Sequence, residues 1–356
     1  MNDPISWSGP IDDAVCICGV GVRTPLGFNA SASAAAVRGA ISAVAAHPTF
    51  VDKEGEPMSL AVDAGFEPSL PIAERIEQML LSAVTQALGE LPTTGSRPTM
   101  QCWVGIAEPR PGLPPGIADS IANTVSAGVG EGCSAHVLQR GHASGLMAMQ
   151  VAAQRVASGE ATFCIAAGVD SYHDAESLTW LDRTGFLMSA ANRNGFPPGE
   201  AASACLLARE SAAERHGLPV LARVAAATTA FEPKSIRSTE VCIGEGLTTA
   251  LSGVISAVRA PPRMITATYC DLNGVRYRNE EFIYTMLRVQ EAFFDAHDYQ
   301  SPADCWGDVG AASGPLFASL AIEARQRGYA RGQFPLLWAS SDGGHRSAIL
   351  LSLSEP

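Results

Sequence analysis

Lysine is almost missing from this chain: Lys53 and Lys234 are its only two, and the formal net charge is −12. So acidic a protein lacks the basic face that phosphate neutralisation requires, which excludes nucleic acid as a partner. A patch for docking an acidic protein would have to come from arginines such as Arg325, Arg327 and Arg331, which read more simply as a solvated helix end. Long apolar runs are missing too. Nothing here is predicted to span a bilayer, and the polar start with Asn2, Asp3, Asp12 and Asp13 is not a secretory signal. No membrane association is expected, and the expected location is cytoplasmic. The nine cysteines lack metal-type spacing. Their odd number, without an export signal, reads as reduced and buried thiols. Neither a metal site nor a cofactor is expected.

What is present is a well-buried globular composition, 47% hydrophobic and 17% charged, unlike that of a disordered chain. A length of 356 residues exceeds what one core usually supports, so two cores sharing an interface are expected, over residues 1–213 and 214–356. Strands and helices alternate. Residues 15–20 read as a buried strand, and 72–88 as an amphipathic helix with Ile76, Met79, Leu80, Val84 and Leu88 on its inner side. Residues 102–107 are another strand, ended by a Pro- and Gly-rich loop over 108–116. A helix over 144–157 carries Gly145, Ala148 and Ala152, which permit close backbone packing. Residues 162–168 and 201–208 are apolar on both faces, as central strands of a covered sheet are. The second series predicts strands over 221–227 and 264–268 and helices over 246–259, 279–295 and 313–325. A closing hairpin joins 335–340 to 347–352. No repeat between the halves is evident by identity.

Six short motifs punctuate this series. Cys18-Gly19-Val20-Gly21-Val22-Arg23-Thr24-Pro25-Leu26-Gly27 opens it. Gly141-His142-Ala143-Ser144-Gly145-Leu146 precedes the small-residue helix, and Ala166-Ala167-Gly168-Val169-Asp170-Ser171 ends the next strand. Gly195-Phe196-Pro197-Pro198-Gly199-Glu200-Ala201-Ala202, Gly307-Asp308-Val309-Gly310-Ala311-Ala312-Ser313-Gly314 and Ser341-Asp342-Gly343-Gly344 complete the order. Taken together these segments resemble the β-ketoacyl synthases, the condensing branch of the thiolase-like superfamily. The resemblance implies an α/β, thiolase-like fold in which two similar halves form a layered α/β/α/β/α sandwich.

It also implies a chemistry whose side chains are replaced here. A condensing enzyme acylates a Cys thiolate at a helix N-terminus, stabilises an enolate with two histidines and holds an oxyanion with two backbone N–H groups. By resemblance, His142 stands at the nucleophile position. The first histidine falls at Tyr269 or Cys270, within a stretch (217–296) that contains no histidine. The second falls at Asp308, the lysine preceding it at Ala303, and the oxyanion-loop phenylalanine at Asp342. At a helix N-terminus His142 is expected to favour neutral imidazole. Facing Asp308, it would form a base–orienter pair, with Ser144 or Cys270 as candidate nucleophiles, while Asp342 would oppose developing negative charge.

Two function classes follow. One is a catalytically silent relative that binds: a partner subunit, or an adaptor in an acyl-carrier pathway or a type VI secretion toxin cluster. The other is a divergent 3-oxoacyl synthase or acyltransferase acting on acyl thioesters. Joint loss of the cysteine, both histidines and the lysine favours the first. Expected partners are a second copy or a related chain, together with an acyl-carrier or secretion protein. The resemblance places the dimer along strand 162–168, read as an uncharged edge, with His173 and Asp174 in a contact loop. Glu200 is expected to brace the site, and His345 to be solvated beside the Gly343-Gly344 turn.

Overall fold

The computed structural model describes residues 3–10, 12–89, 91 and 100–355. In chain order the elements begin with β1 (Ile5–Ser8), β2 (Val15–Arg23), α1 (Ala30–Arg38), β3 (Val44–Val51), β4 (Pro57–Ala61) and α2 (Ile72–Leu88). Next come β5 (Met100–Ile106), α3 (Ile117–Val129), β6 (Cys133–Gln139), α4 (Ser144–Ser158), β7 (Phe163–Ser171), α5 (Ala175–Thr184), β8 (Glu200–Arg209) and α6 (Glu210–Arg215). The second half runs β9 (Ala222–Phe231), α7 (Glu245–Ala257), β10 (Ala267–Cys270), α8 (Arg276–Val289), α9 (Ala303–Trp306), α10 (Ser313–Gln326), β11 (Pro335–Ser340) and β12 (His345–Leu353).

The order β2-β8-β7-β5-β6 makes one half-sheet and β10-β11-β12-β9, with β1 beside β9, the other. They meet where Cys16 and Ile17 of β2 pair with Arg223 and Ala222 of β9. β1 therefore serves the sheet of the second half, although it opens the chain. The small-residue helices α4 and α10 lie between the half-sheets and share one buried cluster with both. α2 and α3 cover the outer face of the first half, and α7 and α8 that of the second. This is the layered α/β/α/β/α sandwich, and its central helix pair is where the site forms.

Both central helices start in the same way. Gly141 and Gly310 have positive φ values of 72° and 49°. Each opens a single 3-10 turn, Gly141–Ala143 or Gly310–Ala312, that runs straight into its helix. Gly141-His142-Ala143-Ser144-Gly145 and Gly310-Ala311-Ala312-Ser313-Gly314 are the same pattern with one exchange, a repeat that identity between whole halves hides. The two helix starts press together: a Cβ on Gly314 would lie 2.5 Å from the Leu146 amide nitrogen. Only a residue without a side chain fits there.

Two expectations are corrected. Strand 162–168 is not an edge. It lies in β7, paired with β5 on one side and β8 on the other, and the terminal strand of that half is β6. Apolarity on both faces marks burial between layers and says nothing of position across the sheet. The strand expected over 264–268 forms only from Ala267, where pairing with Pro335 of β11 begins. Before it, Arg263 has φ 63° after two prolines, which keeps that backbone out of a ladder.

Candidate functional site

The tight turn before α4 delivers His142 to the wall of a cleft that Glu108, Arg110, Asp170 and Asp342 also line. Its Nε2 lies 2.9 Å from Oδ1 and 3.0 Å from Oδ2 of Asp308, both residues being buried. Asp308 is clamped by its own backbone: its N–H donates to the Pro197 carbonyl at 2.7 Å, and its carbonyl accepts from Gly199 N at 2.9 Å. The carboxylate further accepts from Gly310 N at 2.8 Å and Asn273 Nδ2 at 2.5 Å. The resemblance placed this pair, and the repeat of the two helix starts explains why they meet.

The pair alters the charge expected on His142. Burial disfavours imidazolium, and so does nearby Arg278, but attraction and hydrogen bonding to Asp308 outweigh both and raise its pKa. For Asp308, burial pushes the carboxyl up, yet His142, Arg278 and Asn273 hold it well below the usual carboxylate range. The helix N-terminus is a weak partial charge, whereas Asp308 is a full charge in contact. The imidazole is biased toward its protonated form, not its neutral one.

Asp342 also differs from expectation. Its Oδ1 accepts from Arg278 Nη2 at 3.1 Å, so it is paired rather than free to oppose charge. Arg278 in turn donates from Nη1 to Asp271 Oδ2 at 2.6 Å and to the Ser340 carbonyl at 2.7 Å. This arginine was not among the sequence candidates. A signal existed: it lies four residues before Phe282 on the stripe of α8 that buries Phe282, Met286 and Val289. A charge in an apolar stripe marks a built interaction.

Tyr269 and Cys270 do not join the pair. Tyr269 is buried in the central cluster. The Cys270 thiol donates to the Gln300 carbonyl at 3.7 Å, and burial pushes its pKa well up. Cys270 does share a second small pocket with Asn273 and Asp308. From this segment it is Asn273 that reaches the site. Ser144, the other candidate nucleophile, is occupied by the Gly141 and Ile106 carbonyls. Ala303 opens α9 and lines that second pocket.

The loop after β5 contributes two residues that the sequence reading left unassigned. Glu108 accepts from Gly343 N at 2.8 Å and pairs with Arg237, so a carboxylate fills the turn that resembles the oxyanion loop. Arg110 donates from Nη2 to Asp170 Oδ1 at 2.7 Å and to the Ser171 carbonyl at 2.6 Å. Glu200 lies behind, holding Arg75 (2.6 Å), the Asp63 N–H (2.7 Å) and the Ser171 hydroxyl (2.7 Å). His173 is buried against its own chain's β3 strand, 3.3 Å from His47, and His345 packs edge-on to Phe231. The ligand atoms of Glu232, Cys242 and Glu281 gather within 4.8 Å. Glu281 is taken by Arg346 at 2.7 Å and Glu232 by Gly246 N at 2.7 Å, so this is a closed polar network.

Residues 93–213 match the family model of the β-ketoacyl synthase N-terminal domain. No curated protein sequence matches the chain. Among solved structures, a type II polyketide ketosynthase in complex with its acyl-carrier protein and bound to a hexaketide (AntDE:AntF) superposes with a TM-score of 0.80. It is 14% identical, with 96% of this chain and 100% of that one covered. The ishigamide ketosynthase/chain length factor gives 0.80 at 14% identity, covering 96% and 99%. The ketosynthase from module 6 of the bacillaene synthase of Bacillus subtilis gives 0.78 at 16% identity, covering 96% and 72%. The fold is that of the ketosynthases of the thiolase-like superfamily. Among the described residues, no helix is long and apolar enough to cross a membrane.

Proposed function

We propose that this chain is a ketosynthase-fold subunit that binds rather than condenses, working beside a related chain or an acyl-carrier protein. The observation that carries the reading is the His142–Asp308 contact of 2.9 Å. The position where a condensing enzyme needs a thiolate holds a buried imidazole already engaged by a carboxylate. Glu108 supports the same reading, because its carboxylate occupies the Gly343 N–H that faces the turn. Carbon–carbon bond formation needs an electron-rich thiolate, and the side chains gathered around this contact supply none. The names of the structural relatives, a ketosynthase with its carrier protein and a ketosynthase/chain length factor, motivate the two partner classes.

Intact-mass spectrometry after incubation with acyl-carrier thioesters or a cerulenin-type inhibitor tests this. The expected result is an unchanged mass. A stoichiometric adduct mapped to His142 or Cys270 would return the divergent synthase or acyltransferase. Assembly is part of the proposal: β6 ends its half-sheet and, left unpaired, is a template for a second strand. Light scattering should therefore report a dimer, either of this chain alone or with a related one. A persistent monomer in the presence of both candidate partners would count against the subunit role.

A further inference from the structure

The hairpin of β3 and β4 is a two-stranded sheet of its own, paired with no strand of the main sheet among the described residues. A lone hairpin is marginal in water, so what fastens it decides whether it stays closed. Its Phe50, Met58 and Leu60 share an apolar cluster with Tyr172 and Trp180, which also line the His142 cleft. Its tip is tied by Lys53 N to Asp182 Oδ2 at 2.8 Å. Its other polar fastening is a contact between two imidazoles: His47 Nε2 lies 3.3 Å from His173 Nε2. The proton positions follow from the neighbours. The strand register breaks between Ala46 and Val51, and there His47 Nδ1 accepts from Thr49 N at 3.3 Å and Phe50 N at 3.2 Å. A nitrogen that accepts two N–H groups carries no proton, so the proton of His47 is on Nε2. His47 therefore donates and His173 Nε2 accepts. That leaves the proton of His173 on Nδ1, buried without a partner.

We infer that this contact is an acid-sensitive latch: it holds the β3–β4 hairpin over the cleft wall while both imidazoles are neutral, and releases it when either takes up a proton. Each proton breaks a different bond. On His173 it sits on Nε2 and faces the Nε2–H of His47. On His47 it sits on Nδ1 and faces the Thr49 and Phe50 N–H groups. Burial disfavours the charge on both rings and lowers both pKa values. At His173 the charges from the packed elements divide: Arg75 of α2 and His47 of β3 oppose a proton, while Glu200 of β8 and Asp174 before α5 favour one. Glu200 is neutralised by Arg75 at 2.6 Å, and Asp174 is taken by Glu176 N and Ser177 N, so burial decides. Released rings take up protons more readily than latched ones. The latch is therefore complete above the ordinary histidine value of 6.5 and is lost as pH falls through the lowered ones.

Hydrogen–deuterium exchange of the full chain, read on peptides covering 44–61 and corrected for intrinsic exchange, tests this. The range runs from about pH 7.5 to about pH 5.5, above that of ordinary carboxylates. The opening constant of the hairpin should rise as pH falls, by up to about ten-fold per unit for each histidine, while peptides of α7 keep their protection. The His142–Asp308 pair responds in the opposite sense, since its histidine pKa is raised, so a loss confined to 44–61 belongs to the latch. His47→Asn supplies the Thr49 and Phe50 N–H groups with a side-chain oxygen that does not titrate. Combined with His173→Phe, which keeps a ring, it should leave a hairpin equally protected at both ends of the range. Protection that is low but independent of pH in this double variant also supports the latch, since it shows that the contact holds the hairpin shut. Hairpin protection independent of pH in the native chain would overturn the inference. So would a double variant that keeps the native pH dependence.

Discussion

Replacing His142 by the cysteine that a condensing enzyme uses should produce an unreactive thiol. In His142→Cys the new sulfur sits at the start of α4, where the helix N-terminus favours thiolate by a fraction of a pKa unit. It also sits over Asp308, which burial and the hydrogen bonds from Asn273 and Gly310 N hold in place. A shorter side chain puts sulfur roughly 5 Å from that carboxylate. At an effective dielectric of about 20, the repulsion is then about 3 kcal/mol, or roughly two pKa units. Arg278 offsets little, being committed to Asp271 and Asp342. The thiol should therefore titrate near 10, against about 8.5 for a free cysteine. The assay is the pH profile of iodoacetamide alkylation, followed by peptide mass spectrometry to separate this site from the nine native thiols, eight of them buried. Adding Asp308→Asn removes the carboxylate charge and should bring the midpoint back toward about 8.5. Adding Asp308→His should lower it further and permit self-acylation. A single variant that alkylates with a midpoint below about 8 would refute the electrostatic reasoning. Carbon–carbon bond formation by that variant would refute the proposed function as well.

Three further outcomes are expected. His142 has a raised folded-state pKa and Asp308 a lowered one. Their mutual stabilisation is thus complete between the ordinary values of 3.8 and 6.5 and is lost as pH rises through the folded histidine pKa or falls through the folded aspartate one. Melting curves should show His142→Gln costing about 3 kcal/mol near pH 6 and clearly less near pH 9; a pH-independent deficit would contradict the pairing. Arg75→Met strands Glu200, whose side chain, like that of Arg75, is 0% exposed. Urea unfolding should register a loss of about 3–5 kcal/mol, and a loss below about 1 kcal/mol would mean the pair is replaceable. Gly105→Ala would place a methyl 2.5 Å from the Gly145 amide nitrogen, pushing β5 off the start of α4. A destabilisation of about 1–3 kcal/mol by the same method is expected, and a neutral result would show that the two elements separate without cost.

The periodicity of α2 reached the structure unchanged, Ile72–Leu88, because a single amphipathic stripe is a local property. The small residues Gly145, Ala148 and Ala152 of α4 likewise imply close packing from the sequence alone. The shared Gly-x-Ala-Ser-Gly start of α4 and α10 was visible in the letters and went unread as a repeat. β6 carried no strong strand pattern, and its place at the end of the sheet depends on which strand pairs with β5. Register and neighbour order are properties of the whole sheet, which is why the uncharged run in β7 was mistaken for an edge.

The site divides in the same way. The chain by itself determined which residue types stand at the helix start, at the turn before α10 and in the closing loop. It did not determine what those residues do to one another. Whether His142 is neutral or charged depends on an Asp308 166 positions away. Whether Asp342 repels or is quenched depends on Arg278, 64 positions before it. Asn273 and Arg110 enter only because folding carries them there. Composition and local pattern act through the backbone nearby, while charge acts through space over a few ångströms, so only the tertiary structure decides which charges meet.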